Sequence, residues 1–318
     1  MYNETMKRTV RLADLAQKIK NAQNILILTH VDPDGDALGS AYFLREIIRK
    51  LQAKARIAVL FDPQHKGELN AFIKRGDAGR CGRLKHPDLV VSVDASDSRR
   101  LYGAAGLPID ICLDHHVSSR RFAELNIIDP QAASCTLVIY DLLQAWKLKL
   151  TKTMAEYLYL GLASDTGNFA FANTDARVFG AAYACARLGV KPNAVYNKLN
   201  EQLTRREILD FAQAVSQTES FCRRRLSVVA VPKTLRVDNR FLIDFIRRDK
   251  FAEVAVVLVA KKDYIKISLR SKTALDVAKV AAHFHGGGHR KAAAGKIFKA
   301  TLAEAKKQVV EYFRQQVF

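Results

Sequence analysis

The sequence predicts an α/β protein: a parallel-sheet domain with helices on both faces, followed by a smaller α/β domain at the C-terminal end. Short aliphatic runs alternate with amphipathic segments of helical period, which is the pattern of a parallel sheet. Several of these runs stop at an acidic or histidine side chain, the usual place for a site in an open α/β sheet. The 318 residues are enough for two domains.

The predicted boundaries assign residues 1–188 to the first domain, 189–220 to a connector and 221–318 to the second domain. In the first domain the patterns predict a helix at 6–22, a strand at 25–29, a helix at 37–52, strands at 55–60, 88–94 and 109–114, and helices at 134–147, 151–163 and 176–188. Residues 201–220 are predicted to form a polar connecting helix. The second domain is predicted to contain strands at 226–231, 253–260, 263–270 and 293–298, with helices at 239–248, 274–284 and 301–316.

Candidate metal ligands follow the first predicted strand within seven residues: His30, Asp32, Asp34 and Asp36. Such groups beside an apolar core repel each other, and each unpaired carboxylate raises the free energy of folding. A divalent cation removes this conflict, and carboxylates with one imidazole suit Mn²⁺, Mg²⁺ or Zn²⁺. The alternative is an aspartate-rich turn that caps the following helix.

Two further strands stop at residues of the same type. One ends at Asp94, the next ends at Asp114 and is followed by His115 and His116, and Asp165 lies at the tip of a later helix. Adjacent parallel strands lie about 4.8 Å apart, so their carboxyl ends converge on one small space. Taken singly, Asp94 could cap a helix and the two histidines could be a satisfied polar pair. Taken together, these residues indicate a site for two metal ions.

The chain is basic, and most of the excess charge lies at its C-terminal end. The net charge is +19, and residues 219–318 hold 22 of the 51 Lys and Arg residues but only 9 of the 32 Asp and Glu residues. A basic face favours a polyanionic partner, with nucleic acid as the first candidate. The alternative is a general bias of composition.

Composition also bears on the cellular setting. The cysteines at positions 81, 112, 135, 185 and 222 have no CxxC spacing, which predicts reduced thiols in a cytoplasm and argues against a zinc ribbon. The N-terminal residues lack the apolar core of a signal peptide, and no apolar run is long enough to cross a bilayer. We therefore expect a cytoplasmic protein with no membrane partner.

Together these motifs resemble the DHH phosphoesterase family. They are His-x-x-x-Asp-x-Asp at 30–36, the strand-end Asp94, Asp-His-His at 114–116 and Asp-Thr-Gly at 165–167. The segments Ile-Ser-Leu-Arg-Ser at 267–271 and His-Gly-Gly-Gly-His-Arg-Lys-Ala-Ala-Ala-Gly at 285–295 are similar to the DHH-associated domain. The two regions cover nearly the whole chain, and the resemblance extends to the nanoRNase type of that family, the bifunctional oligoribonucleases and pAp phosphatases.

The resemblance implies two Mn²⁺ ions, for which Mg²⁺ or Co²⁺ could substitute. The first ion would be held by His30, Asp34 and Asp94. The second would be held by Asp36, Asp94, His115 and Asp165, so that Asp94 bridges the two ions. His116 is assigned to phosphate contact or proton donation, although the two histidines could exchange roles. Asp32 is grouped with Asp94 and His116 among the catalytic residues, where it supports the site or its own turn.

By the same resemblance, the second domain is expected to bind the substrate. Its predicted contacts are Arg270, Ser271, Gly286, Gly287, Gly288 and His289, joined by Arg100 of the first domain at a cleft. The glycines lack a Cβ, so their N–H groups can approach an anion, and an arginine can form a bidentate contact with a phosphate. The alternative for the glycines is a loop that requires positive φ. The alternatives for Arg270 and Arg100 are a solvated charge at a strand end and a surface arginine, respectively.

The predicted activity is that of a Mn²⁺-dependent hydrolase. It would degrade very short oligoribonucleotides to mononucleotides and dephosphorylate 3′-phosphoadenosine 5′-phosphate (pAp) by two-metal hydrolysis. Alternatives are a cyclic-dinucleotide or linear pApA phosphodiesterase, a RecJ-like single-strand exonuclease and, from a different class, a non-catalytic nucleic-acid-binding protein. The expected partners are short RNA and pAp, and the sequence leaves a homodimer open.

Overall fold

The computed structural model describes residues 2–63, 67–73, 84 and 86–318. Cys81 therefore lies outside the described residues. The chain divides into two compact units, Met1–Gln202 and Leu203–Phe318. This division lies inside the segment 189–220 that the sequence predicts as a connector. None of the helices in the described ranges is long and apolar enough to span a membrane.

The first unit is a parallel sheet with helices, as predicted, and the sheet has five strands. Its strands are β1 (Asn24–Leu28), β2 (Arg56–Leu60), β3 (Leu89–Val93), β4 (Ile111–Asp114) and β5 (Leu125–Ile128), in the order β2-β1-β3-β4-β5. Its helices are α1 (Tyr2–Asn21), α2 (Gly35–Leu51), α3 (Cys135–Ala145), α4 (Lys152–Asp165), α5 (Ala176–Arg187) and α6 (Pro192–Asn200), with 3₁₀ turns at Gly67–Phe72 and Ser98–Arg100. The edge strand β5 was not among the predicted strands.

The two faces of this sheet are covered differently. Ile25 and Ile27 of β1 belong to the apolar core that α2, α3 and α4 form on one face. The alternate residues Leu26 and Leu28 point to the other face and pack with Leu101 from the connection between β3 and β4. Among the described residues, the segment between β3 and β4 also packs on this second face. The β3–β4 connection contains two glycines and a proline, which interrupt helix formation.

Small residues let α2 and α4 pack with their backbones close together. A Cβ added at Gly39 of α2 would lie 2.7 Å from the carbonyl oxygen of Tyr157 in α4. A Cβ added at Gly161 of α4 would overlap the carboxylate of Asp36 in α2. This close approach brings the start of α2 and the end of α4, where Asp165 lies, to one place.

The second unit is a smaller mixed sheet with helices on both faces. Its strands are β6 (Glu219–Phe221), β7 (Leu226–Val231), β8 (Val254–Ala260), β9 (Tyr264–Ser271), β10 (Gly287–His289) and β11 (Ala292–Phe298), in the order β10-β11-β9-β8-β7-β6. Strands β7 and β8 are parallel and the other neighbours are antiparallel. The helices α7 (Arg205–Ser216) and α8 (Asn239–Ile246) pack on one face, and α9 (Val277–His283) and α10 (Leu302–Gln316) on the other.

Candidate metal centre

Three neighbouring strands of the first unit end side by side, and each is followed by a predicted ligand. Because β1, β3 and β4 are adjacent and parallel, His30, Asp94 and His115 leave the sheet at the same edge. Asp94 turns out of β3 in the left-handed backbone region, with φ of 54°. Aspartate adopts this region more readily than most residues, because its short side chain can hydrogen-bond locally.

The ligand-capable atoms form three overlapping groups, and in each group the three atoms lie within 4.8 Å of one another. The groups are His30, Asp34 and Asp94; Asp36, His115 and Asp165; and Asp94, His115 and His116. The structure thus brings together all six residues predicted as metal ligands, together with His116. Their assignment to particular ions stays a prediction.

Asp94 lies between the two histidines that were assigned to different ions. Its Oδ2 is 3.6 Å from His30 Nε2, and its Oδ1 is 3.4 Å from His115 Nε2. The side chain is buried. Burial alone would raise the pKa of Asp94, but the contacts with His115 and His30 hold it well below its usual value. Each carboxylate oxygen of Asp94 therefore faces a different histidine.

Backbone carbonyl groups orient the rings of both histidines. His30 Nδ1 lies 2.8 Å from the carbonyl oxygen of Val31, and His115 Nδ1 lies 3.2 Å from that of Ala132. In both rings Nε2 then points towards the carboxylates, and His115 Nε2 is also 3.2 Å from Asp165 Oδ2. A backbone partner on one ring nitrogen is the usual way in which a metal-binding histidine is held.

Helix N-termini hold two of the carboxylates. Asp34 caps α2, with its Oδ1 accepting hydrogen bonds from the N–H groups of Asp36 and Ala37, both at 3.2 Å. The fully buried Asp36 accepts from the first amides of α3, with Oδ2 at 2.6 Å from Cys135 N and Oδ1 at 3.0 Å from Thr136 N. The positive end of a helix stabilises a carboxylate at this position.

His116, the neighbour of His115 along the chain, has a different environment. His116 Nδ1 lies 2.7 Å from Asp114 Oδ1, which also accepts hydrogen bonds from the backbone N–H groups of His115 and His116. Burial opposes protonation of the ring, yet Asp114 raises the pKa of His116 above its usual value. His115 thus lies among three carboxylates, whereas Asp114 orients His116 beside them.

Burial and mutual repulsion shift the proton affinities of the remaining groups. Burial, together with repulsion from Asp94 and Asp165, raises the pKa of Asp36 well above its usual value. Burial also raises the pKa of Asp165, to about 6. Burial lowers the pKa of His30, but the neighbouring carboxylate of Asp94 outweighs this and raises it to about 9. The raised pKa values of Asp36 and Asp165 reflect the cost of gathering several negative charges in one buried place.

The donor set fits a divalent cation. Within the part of the chain that the structure describes, Asp94 Oδ1 and His115 Nε2 are buried without a hydrogen bond of normal geometry. A buried polar atom in that state costs about 1–3 kcal/mol, which a bound cation would offset. Carboxylate oxygens combined with imidazole nitrogens are ligands that Mn²⁺, Mg²⁺ and Zn²⁺ share, so the residues fit a divalent metal without selecting one.

Two other predicted residues of the first unit lie beside the end of β1. Asp32 is exposed, has φ of 52°, and donates its backbone N–H to Asp62 Oδ2 at 3.3 Å. Arg100 is exposed in the 3₁₀ turn after β3, and its carbonyl oxygen accepts a hydrogen bond from Val31 N at 2.7 Å. Asp32 belongs to none of the three ligand groups.

In the second unit, Arg270 has an environment suited to an anion. It is half-buried in β9, and its Nε is 3.8 Å from Asp244 Oδ1. Burial lowers the pKa of Arg270; Asp244 opposes this, while Arg240 and Arg247 add to it. Ser271 is the next residue of the strand, so its side chain points to the opposite face, where it is buried and donates to the carbonyl oxygen of Thr273 at 3.2 Å.

The glycine-rich segment is in part the edge strand β10. Gly286, Gly287, Gly288 and His289 are exposed, and β10 pairs with β11. A Cβ at Gly286 would overlap the carbonyl oxygen of Ala294, and Gly288 has φ of 147°. Close strand packing therefore requires glycine at two of the three positions, whatever their role with a ligand.

Three features of the site were not predicted from the sequence. Asp114 was noted as part of a motif, but its role in orienting His116 was not predicted. The amides of α3 that hold Asp36 lie 99 and 100 residues away along the chain. Gly161 touches the same carboxylate from α4. The adjacency of Asp114 to the two histidines was a usable signal, whereas contacts made through tertiary packing leave no local pattern.

Comparison with known proteins agrees with this architecture. The chain matches the DHH family, N-terminal domain, over residues 24–162 and the DHHA1 domain over residues 238–317. It is 29% identical over 296 residues to the bifunctional oligoribonuclease and PAP phosphatase NrnA of Thermus thermophilus, covering 92% of this chain and 90% of the relative. It is 25% identical over 325 residues to the cyclic-di-AMP phosphodiesterase GdpP of Geobacillus thermodenitrificans, covering 93% of this chain but 48% of that protein.

Among solved structures, an exopolyphosphatase-related protein of Bacteroides fragilis shares the fold, with a TM-score of 0.85 at 20% identity and coverage of 96% of each chain. The two matched domains lie in separate compact units, and the metal-capable cluster lies in the first. The matched domains, their order and the clustered Asp-His-His motif show that this chain belongs to the DHH phosphoesterase family.

Proposed function

We propose that this protein is a two-metal phosphoesterase that degrades very short oligoribonucleotides to mononucleotides and dephosphorylates pAp. The observation that carries the proposal is the position of Asp94, whose oxygens face His30 on one side and His115 on the other. One carboxylate can thus be shared by two ions. Asp34 would complete the first ligand set, and Asp36 and Asp165 the second.

The residues around the ions prepare the site. When bound, two divalent ions supply a water of lowered pKa and offset the charge of the phosphate. The backbone contacts of His30 and His115 orient their Nε2 atoms before any ion binds. Asp114 fixes the ring of His116 beside Asp94, and we assign to His116 the contact with the phosphate and the proton donated to the leaving oxygen. We assign to Asp32 the support of the turn after β1.

Manganese is the ion that we propose, with Mg²⁺ or Co²⁺ as substitutes. The carboxylate-rich donor set with imidazole nitrogens supports this proposal. Metal analysis of the protein after loading with Mn²⁺ should give two Mn²⁺ per chain. Asp94→Asn, which keeps a residue that tolerates positive φ, should lose both ions and turnover. Asp14→Asn, at an exposed position of α1, is the matched control and should keep both.

The substrate assignment rests on charge and on relatives. The C-terminal part of the chain is strongly basic, and Arg270 lies half-buried beside Asp244, with Arg240 and Arg247 also close by. The Thermus thermophilus relative is named as an oligoribonuclease and PAP phosphatase. We therefore propose short RNA and pAp as substrates, with Arg270, Arg100, His289 and the exposed glycines as their contacts. Unpaired cysteines among the described residues support a cytoplasmic setting.

Activity on a 5′-labelled diribonucleotide and on pAp, each with Mn²⁺, tests the proposal directly. We expect release of mononucleotide from the first and of phosphate from the second. Release from neither would reject the assignment. Rates on RNA of two, five and twenty nucleotides would separate this activity from a RecJ-like exonuclease, which favours the longest substrate.

The second candidate is a cyclic-dinucleotide phosphodiesterase. The likeness to the cyclic-di-AMP phosphodiesterase spans 93% of this chain, which supports testing this substrate class. Both candidates hydrolyse a phosphodiester bond, but a cyclic substrate has no chain end and no terminal phosphate. Hydrolysis of cyclic-di-AMP faster than that of linear pApA and of a diribonucleotide would favour the second candidate.

A further inference from the structure

We propose that the exposed face of β9 and β11 is a binding track for single-stranded RNA, on which Tyr264 and Phe298 stack bases and Lys266 and Lys296 contact phosphates. This inference deepens the proposed function and rests on it for the choice of RNA as ligand. It concerns nucleotides beyond those at Arg270, which lies at the other end of the same face.

Strand alternation defines the face. Along β9, the residues Ile265, Ile267 and Leu269 are buried in the core beneath α9 and α10. The alternate positions 264, 266, 268 and 270 are partly exposed and therefore point to the opposite face. In β11, Ala293 and Ile297 enter the same core, whereas positions 294, 296 and 298 are exposed. Register pairs the outward residues of the two strands as Arg270 with Ala292, Ser268 with Ala294, Lys266 with Lys296, and Tyr264 with Phe298.

The charges on this face suit an anion. Lys266 and Lys296 lie directly opposite each other on neighbouring antiparallel strands. Like charges in this position destabilise a sheet. An anionic ligand on this face would be attracted by both side chains. Arg270 adds a third cation on the same face.

The aromatic residues suit a ligand with flat apolar rings. The ring centroids of Tyr264 and Phe298 are 6.1 Å apart, and Phe298 keeps 49% of its surface exposed. Lys296 Nζ lies 5.0 Å from the centroid of Tyr264, and the ring of His285 lies 5.7 Å from that of Phe298. Exposed aromatic rings interleaved with lysines are the pattern by which proteins hold single-stranded nucleic acid.

The middle of the face lets a ligand approach the backbone closely. Ser268 pairs with Ala294 between the lysine pair and Arg270, and Arg270 itself pairs with Ala292. Because these side chains are small, a ligand can come close to the backbone of the two strands. From Tyr264 to Arg270 the strand extends about 20 Å, a length suited to a short single strand of RNA. An acidic polypeptide would be attracted by the lysines but would make no use of the aromatic rings.

RNA binding by the full-length chain in the presence of EDTA tests the inference without hydrolysis. The probe is a fluorescein-labelled seven-nucleotide RNA followed by fluorescence anisotropy. Phe298→Ala should raise Kd about tenfold, since loss of one base-stacking ring has an effect of this order. Lys296→Glu should also raise Kd and should reduce the slope of log Kd against log salt by about 0.7, the contribution of one phosphate contact. Phe298→Ala should leave that slope unchanged.

Matched controls separate this face from general effects. Lys307→Glu makes the same charge change at an exposed position of α10, on the other face of the sheet, and should retain more of the affinity than Lys296→Glu. Tyr183→Ala removes an exposed aromatic of the first unit that has Arg187 over its ring, and should bind as wild type. Thermal melts of each variant should match wild type within a few degrees.

The outcomes distinguish this inference from the proposed function. If Phe298→Ala and Lys296→Glu bind the RNA as wild type does, the track is refuted. It is also refuted if Phe298→Leu restores wild-type affinity, because the ring then acts only as an apolar surface, as it would for a protein partner. If the RNA binds through this face while neither the dinucleotide nor pAp is hydrolysed, the proposed function fails and the binding track stands. In active protein, the loss in Phe298→Ala should grow with RNA length.

Discussion

Replacing Gly161 with alanine tests whether the close packing of α2 and α4 positions the metal centre. The added Cβ would lie well under 3.0 Å from Asp36 Oδ1 and from the side chain of Thr136. Ordinary contacts lie near about 3.5 Å, so these groups would have to move by about 1 Å. Asp36 resists such a movement because its oxygens accept hydrogen bonds from the N–H groups of Cys135 and Thr136.

The expected magnitude follows from these contacts. Overpacking a well-packed site costs about 1–3 kcal/mol. Weakened hydrogen bonds to the carboxylate of Asp36 add about 1 kcal/mol or more. The free energy of unfolding should therefore fall by about 2–4 kcal/mol in the metal-free protein. Affinity for Mn²⁺ should fall about 10–100-fold, the usual effect of disturbing the groups that orient a ligand.

Urea denaturation measures the first effect and calorimetric titration of Mn²⁺ the second. The matched control is Gly180→Ala in α5, where an added Cβ meets nothing within 4 Å. It should stabilise the protein by about 0.5–1 kcal/mol, as alanine replaces glycine within a helix. Adding Thr136→Ala to Gly161→Ala removes one clash but keeps that with Asp36, so it should restore stability more than metal affinity. Wild-type stability and affinity in Gly161→Ala would refute the reasoning.

Three further predictions follow from contacts outside this packing. Asp114→Asn should keep both ions but lower turnover about 10–100-fold, because the partner that orients His116 is weakened; metal analysis and steady-state rates check this, and an unchanged rate would contradict it. Burial raises the pKa of Cys112 and of Cys185 to about 12, so at pH 8 about one thiol in 10⁴ is thiolate. Iodoacetamide should therefore modify both only after unfolding, as read by mass spectrometry of the peptides. Thr301→Ala should lower the free energy of unfolding by about 1 kcal/mol in urea titrations, since it removes the capping box of α10.

The part of the site that lies at strand ends was predictable from the sequence. Parallel strands must be apolar on both faces, so their ends are marked by the first charged residues, as at His30 and Asp94. Parallel pairing of neighbouring strands then brings those ends to the same edge of the sheet. Alternation along a strand could also have shown that Arg270 and Ser271 point to opposite faces, so that their side chains do not share one ligand face.

Other features depend on partners that are distant along the chain. The edge strands β6 and β10 have three residues each, too few for a periodic pattern, and exist through pairing with β7 and β11. The loop that covers the second face of the first sheet has no helical repeat, so only the packing of Leu101 reveals its role. These elements are consequences of tertiary structure, and no window of sequence encodes them by itself.

The charge conflict at the strand ends explains why this cluster belongs to a binding site. A structural core gains nothing from gathering Asp36, Asp94 and Asp165 in one buried place, since each carboxylate opposes ionisation of the others. The N-terminus of α3 nevertheless donates hydrogen bonds to the carboxylate of Asp36. Among the described residues, one oxygen of Asp94 is left without a hydrogen bond. The first feature favours the ionised form of Asp36, and the second leaves a buried acceptor that a bound cation would satisfy. A bound cation therefore adds its binding free energy to the stability of the fold, and occupancy should raise the melting temperature with concentration.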